Sequence, residues 1–278
     1  MSFLTGRDDM EIAEWVLLTV ALALIILRIY IRLFRERTKL FLSDIILIIA
    51  GLDGIALIIT DTLTFHVGAM DNDVYSVELS KISFASNYFY DVGMGFPKMS
   101  MLAFYWGIFP ASRSKLRWAL YAVTAYVYTC YLTILFDDTF YCGGNVSVQW
   151  SQADGACNVF YAPDPFYINF ALNLSCYIFV YALPLFLLKD VAKDMKIGIL
   201  ATFFMGFATL VICAVRFATL ETLYSQPNFV YLFSMLEMAL ALITTTLPGL
   251  KSLLKRGTSI EDPESSSGDI HDDKVTEN

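Results

Sequence analysis

The 278-residue chain is poor in charge: 17% of its residues are Asp, Glu, Lys or Arg, where soluble domains carry about 25%. An ordinary soluble surface is excluded. Basic residues do not outnumber acids, and the net charge of -8 with a pI near 4.7 argues against nucleic acid as a partner. Histidine is nearly absent. His66 and His271 stand far apart, so no metal site of paired histidines is expected. Nucleotide-binding loops and internal repeats are missing as well. The start, MSFLTGRDDMEIAEW, lacks a basic region and a small-residue cleavage site, so the first helix is expected to act as its own insertion signal.

What the chain has in excess is apolar residues, 57% of the total, with mean hydropathy +0.58. They gather into seven stretches near the length of about 20 residues that crosses a bilayer: roughly 12–34, 41–60, 83–109, 116–136, 166–188, 197–219 and 229–250. The third is interrupted by Asp91, Gly93, Gly95, Pro97 and Lys98. The expected fold is an all-α bundle of seven transmembrane helices spanning residues 12–254. Basic residues mark the cytoplasmic loops. Fourteen of them follow spans one, three, five and seven, from Arg28 to Arg256, while the opposite loops hold Arg7 and Lys81. Residues 1–11 are therefore expected outside and the C-terminus inside, in a plasma or secretory-pathway membrane. The tail 255–278 is acidic, lacks hydrophobic periodicity and is expected to be disordered.

Cys142 and Cys157 lie in the outer loop after span four, where a disulfide can persist. The other three cysteines fall inside spans. Asn145-Val146-Ser147 is a glycosylation sequon in the same loop. It either carries a glycan or lies too near the membrane to do so.

Ionisable groups inside spans are costly and mark candidate sites: Glu14, Asp44, Asp53, Asp91, Lys98, Arg216 and Glu237. Counted from the inner face, Asp53 and Lys98 fall about 18 Å deep and Glu237 about 21 Å. These three are the candidate polar core, with Lys98 expected to pair with Asp53, Glu237 or both. Such a pair either locks the packing or serves a ligand. Asp91 and Arg216 share a level about 28 Å from the inner face. Asp44 is expected to anchor Arg28 and Arg32 at the cytoplasmic edge. Pro97, Pro184 and Pro248 are candidate kinks. Phe160, Tyr161, Phe166, Tyr167, Tyr224, Phe229 and Tyr231 gather on the outer side, as an interfacial belt or the wall of a pocket.

In order, these residues resemble a seven-span family, the fungal rhodopsin-like integral membrane domain, over roughly residues 28–254. Arg28-x-Tyr30-x-Arg32 with Asp44 resembles its R-x-Y-x-R and paired Asp, with Ser43 at the first Asp. Lys98-Met99-Ser100, Phe104-Tyr105 and Ile108-Phe109-Pro110 resemble its third span, with Gly107 where Arg is common. Cys142, Trp150 and Cys157 resemble its outer loop. Asn173 and Leu183-Pro184 fit span five, with Tyr177 in place of an expected Asp. Lys196-Ile197-Gly198, Phe203, Gly206 and Arg216 fit span six, and Glu237 with Leu247-Pro248 fits span seven.

The resemblance implies a GPCR-like sensor or receptor. Its ligand, apolar or peptide, would enter from the outer side, with a signalling partner at the cytoplasmic loops. A small-solute transporter or exporter and a ligand-free membrane scaffold are the alternatives. Rhodopsins hold retinal by a Schiff base to a Lys within the last span, and Phe229–Leu250 has no Lys. No covalent retinal, other cofactor, metal or enzymatic activity is expected.

Overall fold

The computed structural model describes residues 7–67, 76–108, 114–151, 157–159, 162–187, 193–222 and 228–258. Among them there are helices and no strand. Helix α1 (Arg7–Tyr30) runs into a π-helical turn, Ile31–Arg35. It is followed by α2 (Leu42–His66), α3 (Val77–Gly93), α4 (Gly95–Ile108), α5 (Ser114–Phe140), α6 (Pro163–Ala182), α7 (Lys193–Thr222) and α8 (Asn228–Thr258). Most of the acidic tail lies outside the described residues.

Among the described residues, six stretches are long and apolar enough to cross a membrane, namely Asp9–Arg35, Leu42–His66, Lys115–Phe140, Pro163–Leu185, Thr202–Thr219 and Tyr231–Leu250. The expected third span is instead two helices that meet at Met94, with Gly93 and Gly95 on either side. Pro97 falls in the first turn of α4, where its missing N–H breaks no helical bond. Pro184 sits in the 3-10 turn Leu183–Leu187 that ends α6. Pro248 alone of the three expected kinks lies inside a helix.

Consecutive helices pack side by side, and α1 closes the ring against α8. Helix α8 also touches α2 and α4, so it sits at the centre of the packing. The core is apolar where these helices meet, with Leu18, Ala21, Leu47, Ile58, Met235, Met238 and Leu242 buried. Yet Glu14, Arg28, Asp44 and Glu237 are fully buried too, while Ile26, Phe34, Trp118 and Phe204 lie outside, each more than 60% exposed. Charge inside and large apolar side chains outside is the arrangement a lipid solvent demands.

Candidate functional site

Half-way through the bundle, five helices meet on Glu237 of α8. Tyr90 of α3 donates its hydroxyl to Glu237 Oε2 at 2.5 Å. Asn173 Nδ2 of α6 donates to Glu237 Oε1 at 3.1 Å and reaches Cys213 Sγ of α7 at 3.7 Å. The Asn173 carbonyl oxygen accepts from Lys98 Nζ of α4. Lys98 also donates to the Met94 carbonyl at 3.0 Å and lies 4.0 Å from the Tyr177 ring centroid. Arg216 of α7 covers the other side of this group. Its guanidinium sits 3.9 Å over the Tyr90 ring and its Nε donates to Ser234 Oγ at 2.8 Å. Asp91 is within electrostatic reach of both Arg216 and Glu237. One carboxylate, one ammonium and one guanidinium are thus linked through neutral hydrogen-bonding groups and aromatic faces.

Among the described residues, Lys98 is not in ion-pair contact with any carboxylate. The expected direct pairing is corrected to a relay in which Asn173 takes the lysine with its oxygen and Glu237 with its nitrogen. An amide can do both because it carries donor and acceptor. Asp53 does not join. Gly54 is the residue of α2 that faces α1 and α8, near Leu18 and Leu242, and one step along a helix turns the side chain by about 100°. Asp53 therefore turns to the α3–α4 break, where its Oδ2 is buried without a hydrogen-bond partner. A Cβ on Gly93 would fall 1.7 Å from that oxygen, so a side chain there would have to displace the Asp53 carboxylate.

A second cluster lies toward the C-terminal end of α8. Asp44 accepts from Arg28 Nε at 3.0 Å and forms ion pairs with Arg28 Nη2 at 2.9 Å and Arg32 Nη1 at 2.7 Å. It also accepts the Phe41 N–H at 2.9 Å, closing the start of α2. Arg28 Nη1 then reaches the carbonyls of Thr245 and Thr246 at 3.0 and 3.4 Å. Pro248 interrupts the amide ladder just beyond them, freeing the carbonyl of the preceding turn, and Arg28 supplies donors beside that gap. Gly249 makes room: a Cβ there would lie 2.3 Å from the guanidinium carbon. Ser43 accepts from Arg28 Nη2 at 3.3 Å. Its carbonyl takes Ser100 Oγ at 2.6 Å.

At the opposite end, Cys142 and Cys157 are joined as a disulfide. Inside this loop Asn145 caps the 3-10 turn Val146–Trp150, accepting from Ser147 N at 3.2 Å. Gln149 fastens the loop to the bundle, donating to the Asp138 carbonyl at 2.9 Å and accepting from Val159 N at 3.2 Å. Asn169 of α6 donates to the Asp138 carboxylate at 2.8 Å. The aromatic group does not form one wall. Phe166 and Phe170 stack on Phe217 of α7, at 5.2 and 3.9 Å, whereas Tyr231 packs against Phe65 of α2 at 5.2 Å. Phe160, Tyr161 and Tyr224, and the side chain of Phe229, lie outside the described residues.

Sequence reasoning missed Asp61, Asp138 and the joining role of Asn173. Both acids are in helical phase with their buried neighbours, Asp61 with Gly54 and Leu57, Asp138 with Val127 and Ile134, and that spacing could have found them.

With this geometry in place, the class is an integral membrane helical bundle with buried ionisable side chains. The fungal rhodopsin domain matches residues 27–256, and the chain belongs to that family. No curated protein and no solved structure matches it. The residues do not fit a rhodopsin's retinal site. The lysines of α8, Lys251 and Lys255, stand beyond Leu250 at one end of the helix, and the buried Lys98 is on α4, already engaged by Met94, Asn173 and Tyr177.

Proposed function

We propose that this chain is a GPCR-like sensor with seven spans, its N-terminus outside and its C-terminus cytoplasmic, working without covalent retinal. Counting α3 and α4 together as one span restores the alternation of basic loops. Each half alone falls short of the about 20 residues that cross a bilayer, with 17 residues in α3 and 14 in α4, and Tyr90 and Lys98 of the pair are turned to the interior. A small apolar or peptide ligand enters from the disulfide-braced side and shifts the balance between two arrangements of the helices. A signalling partner reads the result at the basic loops. No catalytic role is assigned.

The observation that carries this reading is the convergence of α3, α4, α6, α7 and α8 on Glu237, on the same helix whose Thr245 and Thr246 carbonyls hold Arg28. A change at the first cluster is passed to the second by one rigid element. The test uses the full chain in nanodiscs, screened by thermal unfolding against medium-chain alcohols, sterols and short hydrophobic peptides. A sensor gives a compound that raises Tm and loses that effect in Lys98→Met and Glu237→Gln. Flux of such a compound across sealed proteoliposomes would establish the transporter reading instead, and a flat response throughout would favour the scaffold.

A further inference from the structure

Among the described residues, Glu14 is a buried acid with both carboxyl oxygens unpartnered. It lies on the inward stripe of α1 with Met10, Leu18 and Ala21. Asp61, near the C-terminal end of α2, is 1% exposed. Its Oδ1 accepts from Ser86 Oγ of α3 and its Oδ2 has no partner. The two carboxyl groups interact electrostatically, Glu11 acts on Glu14 from one turn away, and Arg216 acts on Asp61. Three buried carboxyl oxygens, from two helices packed on each other, therefore stand without a donor.

We infer that Glu14 and Asp61 form a binding site for a small monovalent cation. Isolated buried carboxylates are too costly to stand without compensation. A proton shared between them fills two of the three oxygens and leaves one of Glu14 unmet. A cation can take all three. The donors are hard oxygens with no Cys or His, as alkali cations prefer and transition metals do not. Charge sets the valence. Glu14 and Asp61 bring two negative charges, part of which Arg216 offsets at Asp61, so one positive charge leaves a smaller excess than a divalent ion would. The inference is independent of any ligand at Lys98.

Thermal unfolding of the full chain in nanodiscs tests it, with sodium chloride titrated against choline chloride at fixed ionic strength. Sodium is expected to raise Tm saturably, by about 5 °C near a hundredfold excess over Kd. Glu14→Gln and Asp61→Asn should abolish the rise, while Glu11→Gln keeps it. Ser86→Ala retains both carboxyls and should raise the half-saturating sodium several-fold, which serves if a carboxyl variant does not fold. A wild-type Tm indifferent to sodium, potassium and lithium overturns the site in favour of protons alone. A sodium response unchanged in both Glu14→Gln and Ser86→Ala overturns it as well.

Discussion

Arg28 lies against Gly249, one helix from the start of the bundle touching one from its end. The contact is so close that a single methyl group on Gly249 would fall 2.3 Å from the guanidinium carbon. Gly249→Ala is therefore expected to push Arg28 off the Thr245 and Thr246 carbonyls and to destabilise the protein by about 1–3 kcal/mol. Gly107→Ala is the control. Nothing lies within 4 Å of a Cβ there, so its stability should stay within about 1 kcal/mol of wild type or rise. Thermal unfolding in detergent compares the two.

Asp44 serves two arginines at once, and its removal should cost more than that of either. Asp44→Asn leaves two buried guanidinium groups short of countercharge, a loss of about 3–5 kcal/mol. Arg28→Ala should exceed Arg32→Ala, because Arg32 is the more exposed of the two and packs over the Phe41 ring at 4.3 Å. The reverse ranking in denaturation would show that the clamp is not centred on Arg28.

The hydrogen bond from Tyr90 to Glu237 makes the two residues one unit. Tyr90→Phe leaves Glu237 Oε2 without its donor and should cost about 1–3 kcal/mol. In a double-mutant cycle with Glu237→Gln, the combined loss should fall short of the sum of the single losses. Additive losses would mean that the contact carries no coupling.

The Cys142–Cys157 disulfide reports topology. After treatment of intact cells with a membrane-impermeant reductant, an impermeant maleimide should label both cysteines. Cys130, Cys176 and Cys213 are buried and should stay unlabelled. For protein shown to be at the cell surface, labelling that requires broken cells would place this loop inside and reverse the proposed orientation. Closing the 15-residue separation is worth about 3 kcal/mol in the chain-entropy picture, so Cys142→Ser should also lower Tm.

The sequence makes the Arg28–Arg32–Asp44 clamp legible, because all three contacts depend on short spacings at neighbouring helix ends. Lys98 and Glu237 are legible as buried charges but not as partners. Which groups meet at mid-bundle depends on helix rotation, and the residue that joins them, Asn173, reads in one dimension as a minor polar interruption of an apolar run. Asp53 shows the converse. Its depth matches that of Lys98, but depth fixes only one of the coordinates needed for contact, and the phase of α2 turns it elsewhere. The break at Met94 needed the structure too, since Pro97 reads equally well as a kink within one span or as the opening turn of a new helix.

The Arg28 contacts also bear on how the protein is made. Arg28 is on α1, and two of its acceptors, the carbonyls of Thr245 and Thr246, are on α8, more than two hundred residues later. Chains are synthesised from the N-terminus, so this guanidinium has Asp44 and Ser43 as partners well before α8 exists. Until then the Arg28 donors that later meet α8 must be satisfied by water, lipid headgroups or a membrane chaperone, and docking of α8 completes the cluster. Truncations that remove α8 should thus be recognised by membrane quality control even though every earlier helix is intact.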